Sequence, residues 1–221
     1  RSPRLAARLG AVLARLDKGL TDFTHNAKTR ELTWDLCRAP DLLVHVHILK
    51  DTHLESEVAA ILAEGKQRII PGLADCPRQV IHNDANDHNV LLQNTDPLAP
   101  EIAGLVDFGD LVYTCRVCEP AIAAAYACLH QQDPVAAIAA LARSYHEVFA
   151  LQEKEINHIF DLVRLRLAAS LVMAARRLRE EPENTYHQIS REAVLRTFLQ
   201  LTGVNPLTAR ARVRKACGLA A

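Results

Sequence analysis

His82-Asn83-Asp84-Ala85-Asn86-Asp87-His88-Asn89 and Asp107-Phe108-Gly109-Asp110 are the two polar stretches that decide the fold of this chain. The first lies between two short β-prone runs, residues 79–81 and 90–93, and the second follows a third run, residues 102–106. Packing carboxylates this closely is costly unless cations neutralise them. Asp and Asn oxygens are hard ligands that suit Mg²⁺. The two stretches therefore predict one Mg²⁺ site held at the ends of short strands.

The sequence on either side of this β region has the apolar spacing of helices. Hydrophobic residues make up 49% of the 221 residues, and glycine and aromatic residues are few, which disfavours a β-sandwich or barrel. Helices are expected at residues 2–19, 41–49, 53–70, 120–131, 134–150, 153–179 and 186–201. We predict an α+β fold that is mainly α, in which residues 1–221 form one lobe and a small β insert carries both polar loops.

The charge and cysteine content excludes several classes of partner. The 26 basic and 26 acidic residues cancel, so no broad surface for nucleic acid or an anionic membrane is indicated. No apolar run approaches the roughly 20 residues of a membrane helix, and no signal peptide is recognised. The six cysteines lack zinc-ligand spacing and are expected to be reduced thiols. These features predict a cytoplasmic protein.

The spacing of the two polar loops carries a resemblance. His82-x-Asp84-x-x-x-x-Asn89 followed by Asp107-Phe108-Gly109 has the order and spacing of the catalytic loop and the metal loop of protein kinases. A lone Asp-Phe-Gly is weak evidence, but the joint pattern on strand–loop–strand elements is much more specific. It predicts a protein-kinase-like C-terminal lobe.

The sequence after the metal loop points to the small-molecule branch of kinases. Protein kinases are expected to show an Ala-Pro-Glu element after an activation segment, whereas Asp110-Leu-Val-Tyr here runs quickly into Cys118-Glu119-Pro120. From Leu5 to the last helix the chain resembles the aminoglycoside phosphotransferase and choline kinase family. It most resembles the hydroxylysine-kinase-like and homoserine-kinase-like members.

The resemblance implies a role for each matched residue. Asp84 is expected to orient the acceptor hydroxyl and take its proton, and His82 to brace the loop through hydrogen bonds. Asn89 and Asp107 are expected to hold Mg²⁺ against the phosphates of ATP. The family usually has Gly where this chain has Asn83. Because Asn tolerates left-handed backbone better than most residues, the loop is expected to keep its shape.

Weaker candidates surround these residues. Asp110 is expected either to line the acceptor site or to hydrogen-bond the metal loop. The pair Trp34-Asp35 matches a family position near the acceptor pocket, although a core Trp is an equal alternative. Glu119 is expected either to cap its helix or to contact substrate. The run Arg176-Arg177-Leu178-Arg179 is expected to be the solvated end of a helix.

The resemblance also implies segments that this sequence does not contain. Family members have an N-terminal lobe with a nucleotide-covering loop and a lysine that grips the phosphates, and nothing before Leu5 matches it. The stretch Arg212-Val-Arg-Lys-Ala-Cys-Gly-Leu219 resembles a linker that, in some bacterial proteins, leads into a class III aminotransferase, a pyridoxal-phosphate enzyme. Residues 203–221 are therefore expected to form a linker to a following domain. The 221 residues alone are therefore expected to bind ATP poorly.

The sequence thus predicts an ATP- and Mg²⁺-dependent kinase that phosphorylates a hydroxyl of a small metabolite, either an amino alcohol or a hydroxy amino acid. Two alternatives stay open. One is a non-catalytic pseudokinase or regulatory domain of a multidomain enzyme, and the other is a metal-dependent phosphohydrolase that uses the same Asp/His cluster.

Overall fold

The computed structural model describes residues 2–94, 96, 99–180 and 186–220, and the side chains of these residues outside 186–190. The described chain is mainly helical, with four short strands near its middle. The helices are α1 (Pro3–Gly19), α2 (Thr52–Glu64), α3 (Cys118–Ala127), α4 (Pro134–Val148), α5 (Glu153–Glu180), α6 (Tyr186–Thr202) and α7 (Pro206–Ala216). The strands are β1 (Arg78–Ile81), β2 (Val90–Asn94), β3 (Glu101–Leu105) and β4 (Val112–Cys115). The predicted α+β, mainly α architecture is confirmed.

The first helix begins where its sequence predicts and packs closely against α4. The Ser2 hydroxyl accepts a hydrogen bond from the Leu5 N–H at 3.2 Å, and Pro3 occupies the first turn. At Gly10 the two helices come so close that an added Cβ would lie 2.3 Å from the carbonyl oxygen of Leu141. Only glycine therefore permits this approach.

The predicted helices at residues 41–49 and 53–70 have different bounds and geometry in the structure. The first is a 3-10 segment, Leu36–Leu49, which contains Pro40 and therefore lacks one backbone donor. Its start is capped by Asp35, whose carboxylate accepts from the Cys37 N–H at 3.1 Å. The second is α2, which passes at Gly65–Ile69 into a π-helical turn.

The four strands form two separate antiparallel pairs. Strand β1 pairs with β4, with Val80 opposite Tyr113, and β2 pairs with β3, with Val90 opposite Leu105. The sequence predicts β1, β2 and β3 but only a short connection where β4 lies. Strand β4 has only four residues and is a strand because it pairs with β1. A local sequence pattern does not contain this pairing.

Helix α5 is the centre of the lobe and is buried over most of its 28 residues. It packs against α3, α6, α7 and the Leu36–Leu49 segment. Within α5, the buried carboxylate of Asp161 lies 3.0 Å from a guanidinium nitrogen of Arg68 and 2.8 Å from one of Arg210. These ion pairs tie α5 to the π-helical turn and to α7.

Most of the C-terminal stretch that resembles a linker is helical and packed in the lobe. Helix α7 buries Ala209 and Val213 and contacts α4 and α5. That a further domain follows it stays a prediction. Among the described residues, no helix is both long and apolar enough to cross a membrane.

Candidate active site

The first polar loop begins at a histidine that is completely buried. The Nε2 of His82 lies 3.0 Å from the carbonyl oxygen of Val106, and its Nδ1 accepts from the Asp84 N–H at 3.3 Å. Since a carbonyl only accepts, the hydrogen must be on Nε2 and the ring is the neutral tautomer. The edge of the ring also contacts Phe108, with centroids 4.9 Å apart. His82 thus connects the two polar loops through a hydrogen bond and a ring contact.

Asn83 adopts the left-handed conformation that the loop needs. Its φ angle is 67°, and its backbone N–H donates to the Glu119 carboxylate at 2.9 Å. Its side-chain amide lies 3.4 Å from the carbonyl oxygen of Trp34. The loop therefore takes a left-handed turn with Asn in place of the Gly that the family resemblance leads one to expect.

Glu119 is fully buried in the first turn of α3. Burial raises the pKa of its carboxyl, although the hydrogen bond from the Asn83 N–H acts in the opposite direction. Its Oε2 accepts the hydrogen bond from the Asn83 N–H, and its Oε1 has no hydrogen-bond partner among the described residues. Glu119 therefore lies in the first turn of α3, where a carboxylate suits the helix dipole, and it also accepts a hydrogen bond from the first polar loop.

Asp84 lies at the centre of a hydrogen-bond network. Its Oδ2 accepts from the side-chain amides of Asn86 at 2.9 Å and Asn89 at 2.8 Å. A guanidinium nitrogen of Arg166 lies 3.4 Å from its Oδ1. Burial raises the pKa of the Asp84 carboxyl above its ordinary value of 3.8, and the charge of Asp110 raises it further. These contacts fix the carboxylate in one orientation.

Asn89 directly precedes β2, and Asp107 lies two residues after β3, the strand that pairs with β2. The Nδ2 of Asn89 donates to the Asp84 backbone oxygen at 2.9 Å as well as to its carboxylate, which leaves the amide oxygen for a metal ion. The carbonyl oxygen of Asn89 accepts from the Val106 N–H at 3.0 Å. Asp107 is left-handed, with φ 62°, and its Oδ1 accepts from the Gly109 N–H at 3.2 Å.

The donors of Asn89 and Asp107 fit Mg²⁺. Both are hard oxygen donors, and Mg²⁺ is commonly held by one or two protein oxygens together with substrate phosphates and water. Among the described residues, no group of three or more His, Cys, Asp or Glu side chains is arranged to hold a metal ion.

A cavity of about 350 Å³ opens beside these loops. Three of the acidic residues singled out in the sequence, Asp84, Asp107 and Asp110, line it together. Its other lining residues are Trp34, Asn86, His88, Tyr126, Arg166, Ser170, Leu171, Ala174, Arg177, Arg191 and Val194. Asp35 is not among them, because its carboxylate caps the 3-10 segment and accepts from the Thr114 hydroxyl at 2.8 Å. Glu119 also lies outside the lining.

Arg166 lines the cavity and was not predicted from the sequence. It is 2% exposed and donates to the Trp34 carbonyl at 3.1 Å and the Tyr126 hydroxyl at 3.2 Å, besides its contact with Asp84. Its guanidinium also stacks on the Trp34 ring, 4.6 Å from the centroid. The sequence did contain one signal, because Arg166 lies in a strongly apolar stretch of helix. A charged residue buried in such a stretch needs a polar partner.

Comparisons with known proteins identify the family of this chain. The model of the phosphotransferase enzyme family matches residues 1–155. The chain belongs to this family. The predicted membership of the aminoglycoside phosphotransferase group is thereby confirmed.

Relatives of this phosphotransferase-family chain include hydroxylysine kinases. The frog protein (Xenopus laevis) is 27% identical over 226 residues, which cover 90% of this chain and 60% of the relative. The zebrafish protein (Danio rerio) is 28% identical over 188 residues, covering 83% and 53%, and the mouse protein is 28% identical over 184 residues, covering 80% and 49%. The chain thus spans about half to three fifths of the length of these relatives.

A solved structure shares the fold of this phosphotransferase-family chain. It is the amicoumacin kinase hAmiN in complex with AMP-PNP, Ca²⁺ and Ami, with a TM-score of 0.58 and 13% identity. The match covers 94% of this chain and 63% of the kinase. At this identity the likeness concerns the fold alone, and it supports the predicted kinase-like lobe.

Proposed function

We propose that this chain is the catalytic lobe of an ATP- and Mg²⁺-dependent kinase that phosphorylates a hydroxyl of a small metabolite. The observation that carries the proposal is that Asp84 and Asp107 line one cavity, while the Asn89 amide donates a hydrogen bond to the Asp84 carboxylate at 2.8 Å. Phosphoryl transfer needs a positioned carboxylate and metal-binding oxygens on rigid supports. Hydroxylysine kinases among the relatives favour an acceptor that is an amino alcohol or a hydroxy amino acid.

Each residue of the set has a distinct task in the proposed reaction. Asp84 accepts a hydrogen bond from the acceptor hydroxyl, aims its oxygen at the γ-phosphorus and takes its proton during transfer. Arg166, Asn86 and Asn89 hold the carboxylate in place while it does so. Asn89 and Asp107 would hold Mg²⁺, which supplies neutralisation of phosphate charge. The solved kinase with AMP-PNP and Ca²⁺ supports a nucleotide and a divalent cation in this fold.

The proposed enzyme includes segments beyond residues 1–221. We infer that a further lobe supplies the nucleotide-covering loop and a phosphate-gripping lysine, because the hydroxylysine kinases extend well beyond the matched region. Residues 1–221 alone would then have little activity. A following pyridoxal-phosphate aminotransferase domain and a cytoplasmic location are proposed from the sequence, and the free thiols of all six cysteines are compatible with that location.

The test is ADP release by the full-length protein with ATP, Mg²⁺ and candidate hydroxy metabolites. We expect Asp84→Asn to lower kcat by roughly 10²- to 10⁴-fold, the usual contribution of a positioned general base. The matched control is Asp87→Asn, since Asp87 lies in the same loop but outside the lining of the cavity; its rate should stay within about threefold. Equal rates for wild type and Asp84→Asn would refute the catalytic role and favour a pseudokinase.

A further inference from the structure

The helical wall of the cavity is cationic. Arg166 and Arg177 come from α5 and Arg191 comes from α6, and all three line the cavity. The guanidinium carbons of Arg166 and Arg177 lie 4.6 Å and 5.4 Å from the ring centroid of Trp34. Arg177 was expected to be part of a solvated helix end; it is exposed, but it also lines the cavity. The cavity therefore has acidic loops and a basic helical wall.

The arginines differ in whether a carboxylate already neutralises them. Arg166 contacts Asp84. Within the part of the chain whose side chains are described, no carboxylate forms an ion pair with Arg177 or Arg191. The buried Nε of Arg191 has no hydrogen-bond partner there, and neither does the Oγ of Ser170, which is 8% exposed. Because buried donors without acceptors are rare and costly, this wall is built for a ligand that supplies acceptor oxygens.

The ring of Trp34 argues against a purely cationic ligand on this wall. An aromatic face is the usual site for an ammonium group. Here two guanidinium groups already lie on that ring, so an ammonium placed there would meet like charge. Among the described side chains, an acceptor without an anionic group would leave the buried Nε of Arg191 without an acceptor.

We propose that the acceptor carries a carboxylate, which is bound by Arg177, Arg191 and the Ser170 hydroxyl while its own hydroxyl reaches Asp84. The inference rests on the proposed function and narrows it to hydroxy amino acids, excluding amino alcohols. Arginine is suited to this task because its planar fork binds both oxygens of a carboxylate.

The experiment compares hydroxy amino acids with their methyl esters, which keep the hydroxyl and amine but lose the carboxylate charge. The probes are serine, homoserine and 5-hydroxylysine. Binding to the full-length protein is measured by calorimetry without nucleotide, and KM and kcat are measured with ATP and Mg²⁺. We expect at least one acid to bind tenfold or more tightly than its ester, the effect of losing a charge-assisted hydrogen bond.

Two variants test whether the helical wall of the cavity causes the preference for the acid over the ester. Arg191→Gln should weaken binding of the acid at least tenfold and binding of the ester less than threefold. It should also raise the KM for the acid with little change in kcat. The matched control is Arg196→Gln on the same helix, where Arg196 is paired with Glu192 at 2.9 Å and is absent from the lining. Its affinity for both compounds should stay within twofold of wild type.

The outcomes separate this inference from the proposed function. If acid and ester bind equally, if no acid binds, or if Arg191→Gln weakens both compounds alike, the carboxylate site is wrong. Phosphorylation of an ester or an amino alcohol with an unchanged KM would overturn the inference while the kinase function stands. Selective binding of an acid without phosphoryl transfer from ATP would support the carboxylate site and contradict the proposed function.

Discussion

The left-handed turn at Asn83 allows the loop geometry to be tested without any assumption about substrate. Replacing Asn83 by Gly or by Ala removes the same carboxamide in both cases, and both variants keep the backbone N–H that donates to Glu119 at 2.9 Å. The difference between them therefore reports the backbone conformation at φ 67°. We expect the Gly variant to be the more stable one.

The expected magnitude follows from the backbone alone. A residue with a Cβ in the left-handed region raises the free energy of the folded state by about 1–2 kcal/mol, and Gly has no such strain. Relative to Ala, Gly lowers the free energy of unfolding by roughly 0.4–1 kcal/mol, because it gives the unfolded chain more conformational freedom. The net difference in the free energy of unfolding should be about 1 kcal/mol in favour of Asn83→Gly, measured by urea denaturation with equal m-values.

The control is the same pair of substitutions at Arg8, an exposed position within α1. In a helix the order should reverse, with Arg8→Ala about 1 kcal/mol more stable than Arg8→Gly. If Asn83→Ala is as stable as Asn83→Gly while the control behaves as stated, the left-handed turn at this position is wrong.

Two further predictions concern the catalytic carboxylate and the packing of the lobe. Arg166→Met should move the acid limb of the kcat/KM–pH profile to higher pH, because the Arg166 charge lowers the pKa of Asp84 and only the ionised carboxylate can take the proton; an unmoved limb would contradict this. Gly10→Ala should cost about 1–3 kcal/mol of unfolding free energy in thermal melts despite better helix propensity, because its Cβ would meet the Leu141 carbonyl at 2.3 Å. In the control Gly19→Ala, no atom lies within 4 Å of the new Cβ, so this variant should be as stable as wild type or more stable. Equal melting temperatures for the two variants would refute the close packing of α1 against α4 at Gly10.

The family and the loops could be predicted from the sequence because the relevant signals are local. The spacing from His82 to Asn89 and the triplet at Asp107 are fixed by the shape of two short loops, so they appear directly in the order of residues. Helices α1 and α4 were also predictable, since the buried residues of each recur at helical spacing. Strand β4 was missed because it is defined by a partner 31 to 37 positions away: Ile81 pairs with Val112 and Arg78 with Cys115.

The helical wall of the cavity could not be predicted for a similar reason. Arg166 lies among apolar residues of α5, and its partners Trp34 and Tyr126 are 132 and 40 positions distant in the chain. Such contacts follow from how α5 packs, and helix periodicity does not contain that information. Arg177 looks like an ordinary cation at a helix end until the fold places Trp34 beneath it.

The most direct test of the proposed function is ³¹P NMR of the full-length protein mixed with ATP, Mg²⁺ and a hydroxy amino acid. The proposal predicts a phosphomonoester signal that grows in step with ADP and is lost in Asp84→Asn. Inorganic phosphate as the sole new phosphorus product would point to a hydrolase. A phosphomonoester that forms equally fast in Asp84→Asn would show that this carboxylate does not carry the reaction.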